Sequence, residues 1–162
     1  MSAEVAVRLR HLRCVVVNDA FRLAPWAEAL AAQDPEWWRA NRDALAFAGS
    51  RYSMRFSAAG VSPVSARIGL PRNANSGLLG LHIAIERGAS KVLLYGFDLR
   101  GDHYFGRHRA PLKNTGHGLY AQFIRQFADY ARTIPKGVQV RNATVGSALG
   151  CFPTEDPCAL SA

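Results

Sequence analysis

A chain of 162 residues with 49% apolar side chains is long enough for one domain with its own core and too apolar for intrinsic disorder. Its net charge of +8, from 20 Lys and Arg against 12 Asp and Glu, leaves nucleic acid, nucleotides and acidic glycans open as partners and says nothing about chemistry. No apolar run reaches the length of a membrane span or a signal peptide, and Cys14, Cys151 and Cys158 form no CxxC or Cys/His ligand spacing, so the expectation is a reduced, cytoplasmic protein without structural zinc.

Residues 3–12 read as a short basic helix or arm, and Cys14–Val17 as a buried β-branched strand with Asn18-Asp19 at its carboxyl end. Pro25 at a first helical position predicts a short helix over 25–32. Asp34-Pro35-Glu36 is a helix start, in which Asp caps, Pro follows and an acid lies in the first turn; that helix carries Trp37 and Trp38 and runs to Ala48, with Gly49 ending it. Tyr52–Phe56 alternates as a strand, and 57–75 is loop. Ser76 is the expected N-cap of a largely buried helix over Gly77–Arg87, with Gly88 after it. Lys91–Tyr95 is a strand, 99–116 a polar loop, Leu119–Arg132 a helix and Val138–Val140 a last strand. The sum is a single α/β domain over 1–153, Rossmann-like with a mostly parallel sheet flanked by helices and right-handed crossovers, followed by a loose tail over 154–162.

Three polar residues, Asn18, Asp98 and Asn142, each follow an apolar strand, and in such folds ligands bind outside the carboxyl ends of strands. Gly96-Phe97-Asp98 offers a glycine that lets a ribose approach the backbone and a carboxylate that accepts from its hydroxyls; the plainer alternative is a tight turn with Asp98 bonded to nearby backbone. Asn75-Ser76-Gly77 opens a helix, whose free N–H groups suit a phosphate or a base carbonyl beyond simple capping by Ser76. His108 lies between Arg107 and Arg109, which favour the neutral imidazole that a general base requires; a plain surface histidine is the competing reading, and His103 and His117 are weaker candidates. Asp102-His103 with His108 matches no specific metal site, so no metal is assigned. Adjacent Trp37 and Trp38 face about 100° apart on a helix, one into the core and the other toward a base, a sugar or another element. His82 reads as a satisfied core histidine, and no Walker loop, GxGxxG, nucleophile elbow or HExxH occurs.

Taken in order, Val17-Asn18-Asp19, Gln33-Asp34-Pro35, Asn75-Ser76-Gly77, Tyr95-Gly96-Phe97-Asp98 and Gly146-Ser147-Ala148-Leu149-Gly150-Cys151-Phe152-Pro153 resemble the bacterial sialyltransferases of glycosyltransferase family 42. They resemble more closely a group of phage- or prophage-encoded proteins sharing that fold. The likeness spans roughly residues 14–153, in the sense of a motif match. It implies a cytidine nucleotide-sugar donor and an inverting, metal-independent transfer that needs no further cofactor. It implies Asn18 near the phosphate or sugar, Asp34, Ser76 and the adjoining Gly77 toward the base, Gly96 and Asp98 on the ribose, and His108 as base. Three departures stand out, one of them a short lid where the acceptor site is expected. The family's opening strand and phosphate loop have no match, the chain starting just before the second strand, and Leu99-Arg100 stand where phosphate-holding tyrosines are expected, leaving Arg100 to neutralise a phosphate. The alternatives are an inactive phage-related binding or structural protein of the same fold, or a basic nucleic-acid module. Apolar surface at the place of the first strand would favour a homo-oligomer.

Overall fold

The computed structural model describes residues 3–100 and 117–156. Four strands, β1 (Val15–Val17), β2 (Ala29–Ala31), β3 (Ser50–Ser53) and β4 (Val61–Pro63), form one parallel sheet in the order β1-β2-β3-β4. A separate parallel pair joins β5 (Lys91–Leu94) to β6 (Gln139–Asn142). The helices are α1 (Ala3–Arg8), α2 (Pro35–Ala40), α3 (Ser76–Glu86) and α4 (His117–Ala131). The chain is thus mixed α/β, with a four-stranded parallel sheet flanked by helices.

Side chains alternate across a strand, and here both faces of the four-stranded sheet are covered. Val15, Ala29 and Ala31 join a core built from α3, α4 and the β5–β6 pair, while Val16 and Leu30 join a second core with Phe21, Trp37, Trp38 and Phe47. The small residues let α3 sit close to the sheet. A Cβ at Gly80 would come within 2.7 Å of Val17 Cγ2, and Ala31 lies just beyond.

Several expectations need correction. Residues 29–31 are a strand, not part of a helix over 25–32. Pro25 and the alanines carry helical propensity, but Ala-Leu-Ala lies fully buried between β1 and β3, where ladder bonds and burial on both faces outweigh it. The helix begun by Asp34 stops at Ala40, since Asn41 leaves helical geometry (φ −116°, ψ 61°), and the chain continues as a tighter 3-10 segment over Arg42–Ala46. Gly49 does not end that helix. Its Cα faces the backbone of β2's approach, and a Cβ there would stand 2.6 Å from Glu28 O. The strand expected at Tyr52–Phe56 occupies Ser50–Ser53, and the segment read as loop contains β4, an edge strand that tolerates Pro63.

Both tryptophans are core. Trp38 is fully buried, donates from Nε1 to Ala32 O at 2.9 Å and stacks on Phe56; Trp37 packs edge-on against Phe21 and Trp38. His82 is a core histidine as expected, its Nδ1 2.9 Å from the Tyr130 hydroxyl between α3 and α4. Burial first, and Arg67 second, hold its pKa below the usual 6.5; burial first pushes the Tyr130 phenol up to about 12.

Candidate functional site

A cavity of about 980 Å³ runs between β1 and β5, under α3. Its two ends differ in chemistry. The end at the strands' carboxyl termini, the mouth, gathers Asn18, Gln33, Asn75, Gly96 and Asp98 with the first turn of α3. The backbone there is special. Asn18 takes a left-handed conformation (φ 48°), as asparagine does more readily than other non-glycine residues, and Gly96 (φ 76°) and Leu99 (φ 48°) do the same around Asp98. For a bulky residue such as Leu99 that is an outlier, of the kind that clusters where a loop is held for a purpose.

At the start of α3 the cap is Asn75, not Ser76. Asn75 Oδ1 accepts from Leu78 N at 2.8 Å, and Ser76, one residue inside the helix, uses its Oγ to accept from Gln33 N at 2.9 Å. The expected cap is off by one because serine at the first helical position reaches across to β2's exit rather than back to its own helix. Gln33 is buried, and its Oε1 accepts from Met54 N at 2.8 Å. Since backbone N–H groups must meet oxygen, both amides are oriented: Gln33 Nε2 and Asn75 Nδ2 are the remaining donors. Neither has a partner among the described residues, nor has Asn18 Oδ1, although all three atoms are shielded from solvent.

The other expected site residues divide. Asp34 lines the cavity but caps α2, its Oδ1 accepting from Glu36 N. Gly77 lies under the Phe97 ring, and a Cβ there would come within 2.9 Å of Phe97 Cε1. Arg100 lines the mouth and is exposed, its guanidinium lying against Gly146. His108, like Asp102, His103 and Arg107, lies outside the described residues; His117 opens α4. Asn142 is corrected: rather than facing the crevice, it is buried, donates from Nδ2 to Leu149 O and accepts from Thr144 N. In the sequence Gln33 and Asn75 stand out only as neighbours of Asp34 and Ser76. Gln33 carried a signal, being the first polar residue after the apolar Ala29–Ala32 run.

The 142–149 segment has a structural task. Thr144 Oγ1 accepts from Phe97 N and donates to Leu94 O, Ser147 Oγ donates to Phe97 O, and Ala148 N donates to Asp98 O. These bonds hold the turn that places Gly96 and Asp98 at the mouth.

The opposite end, the floor, is ionic. Glu28 accepts from Arg13 and from Arg87 (3.0 and 3.1 Å), and Arg13 also donates to Arg87 O. The arginines, Arg13 first, hold the Glu28 carboxyl below its usual range. Cys14, next to this cluster, has its thiol pushed up to about 11, by burial first and by Glu28 second. Because residues just before β1 and just before β5 meet here, the two strands start at the same end and run the same way.

No protein-family model, curated protein or solved structure matches this chain. Among the described residues no group of His, Cys, Asp and Glu could hold a metal ion, and no helix is long and apolar enough to cross a membrane.

Proposed function

We propose that the mouth binds a nucleotide or nucleotide-sugar, on a Rossmann-like domain related to family-42 glycosyltransferases. The observation that carries this reading is the set of three shielded, unpartnered polar atoms, Asn18 Oδ1, Gln33 Nε2 and Asn75 Nδ2, beside the first turn of α3. Each such group costs about 1–3 kcal/mol when unsatisfied, so a site that keeps three is one built for a ligand. Two amide donors and one acceptor complement the pairing edge of cytosine, which has two acceptors and one amino donor. The Phe97 ring lies over Gly77 and packs edge-on against Phe127, forming the apolar wall beside these groups. Asp98 accepts from the ribose, and Arg100 faces the phosphate.

In the transferase form of this reading, His108 takes the proton of an acceptor hydroxyl. That oxygen bonds to the anomeric carbon as the carbon–phosphate-oxygen bond breaks, and the nucleotide leaves with the electron pair, aided by Arg100 and without a metal. The test is a thermal-shift series with CMP, CDP, UDP, GDP, ATP and CMP-sialic acid, with and without magnesium. Cytidine nucleotides at 100 times their dissociation constant should add about 2.7 kcal/mol, independently of magnesium. No shift with any nucleotide in a folded sample removes the reading. A shift with donor hydrolysis or transfer unaffected in His108→Ala leaves nucleotide binding and removes the assigned base.

A further inference from the structure

The cavity continues past the mouth as a slot, and its lining shows what shape it accepts. A strand that presents a face to a cavity contributes every second residue. Here residues 12–19 line the cavity without interruption, and so do residues 87–100. Both strands therefore present their edges. β1 pairs only with β2 and β5 only with β6, so among the described residues neither facing edge has a ladder partner. The two strands run in the same direction, and α3 spans both from above through Gly80, Leu81 and Ala84. Open ladder edges are normally blunted or covered, and a two-stranded pair alone is marginal. In this fold both occur side by side, in the middle of the molecule.

We propose that this slot is a docking site for one extended segment of a partner polypeptide, added as a parallel strand between β1 and β5. It would join the two sheets into one, in the order β4-β3-β2-β1-partner-β5-β6. The partner's chemistry follows from the walls. Main-chain bonds to both edges require about five or six residues in β conformation, without proline. Both faces of the sheet feed apolar cores, and α3 sits close over Gly80, so the segment is uncharged and made of small to medium apolar side chains. At the floor, where a parallel strand enters, the two arginines Arg13 and Arg87 share the single carboxylate of Glu28, while Lys91 is paired with Glu155; the rim keeps one cation in excess, so the residues preceding the apolar run are acidic.

The test uses a displayed library of ten-residue peptides selected on the whole protein. The selected set should carry consecutive apolar residues, lack proline and favour acids on the amino-terminal side. The best peptide, synthesised, should slow amide hydrogen exchange in Val15–Val17 and Lys91–Leu94 at least tenfold, and a proline at its centre should abolish this. Three results overturn the proposal: no such enrichment; slot amides of the free protein already as protected as those of β2; or protection that grows with protein concentration alone, which would make the occupant a second copy of this chain. The peptide should bind Asn75→Asp as well as it binds the wild type, because that change touches only the mouth. The strand site and the nucleotide site can therefore fail separately.

Discussion

At the floor of the cavity Glu28 is bonded by Arg13 and Arg87, whereas at its mouth Asn18, Gln33 and Asn75 each keep a polar atom that nothing among the described residues satisfies. The floor's charges are partly exposed and matched, which is how a protein joins two strand starts at little cost. The mouth's amides are shielded and unmatched, which is costly. On the proposed reading, the difference separates polarity that the fold satisfies from polarity left for a ligand, within one cavity. It does so by satisfaction rather than by charge, since the more charged end is the structural one.

The largest effect expected of a single substitution lies outside the cavity, where Gly49 packs on the backbone of Ala27 and Glu28. Gly49→Ala would place a Cβ 2.6 Å from Glu28 O, a backbone atom that cannot yield without moving β2. A loss of about 1–3 kcal/mol in denaturant unfolding is expected. Wild-type stability would mean that β2 and the chain before β3 lie further apart than they do here.

At the mouth, Asn75→Asp separates binding from folding. Aspartate caps α3 as well as asparagine and suits the helix dipole, so stability should hold or rise slightly. The Nδ2 donor is lost, and nucleotide affinity should fall at least tenfold, or about 1.4 kcal/mol, by titration. Unchanged affinity would remove Asn75 from the site.

His82 supplies a buried polar group of the satisfied kind, and it predicts a pH dependence. Its folded pKa lies below the unfolded 6.5, so below pH 6.5 the unfolded state binds more protons. The stability present above pH 6.5 should decline as pH falls from there through the folded value. His82→Gln should flatten that decline in melting curves taken from pH 7.5 to 5. An equal slope in the variant would assign the decline to other groups.

Smaller effects return to the floor. The folded pKa of Glu28 is depressed, so its contribution is present above 4.5 and lost as pH falls through the folded value. Glu28→Gln should leave nucleotide affinity unchanged and shift the melting temperature only slightly, the shift shrinking further in high salt. A large loss of affinity would mean that the two ends act as one site. Cys14, whose thiol is raised to about 11, should alkylate far more slowly at pH 8 than a free peptide thiol. Rapid labelling would show that the slot opens more widely than described.

Much of this was legible from residue order, for local reasons. Three consecutive valines, the Asp34-Pro35-Glu36 start and the apolar Lys91–Leu94 run ending in Gly96 and Asp98 carry their structure within a few residues, so β1, α2, β5 and the mouth's glycine and carboxylate follow from the sequence. The core role of His82 was equally plain, because its neighbours are apolar, whereas the sequence placed only one tryptophan of the Trp37-Trp38 pair in the core and the structure buries both. What only the tertiary structure decided depends on partners distant in the chain. Ala29–Ala31 became a strand because β1 and β3 flank it; Ser76 turned to Gln33 N, 43 positions away, and left the cap to Asn75; Asn142 was drawn inward by Leu149 and Thr144. The unsatisfied amides of Gln33 and Asn75 are the clearest case. Satisfaction belongs to an atom's surroundings and not to a residue type, so it emerges only once Met54 N and Leu78 N have claimed one side of each amide.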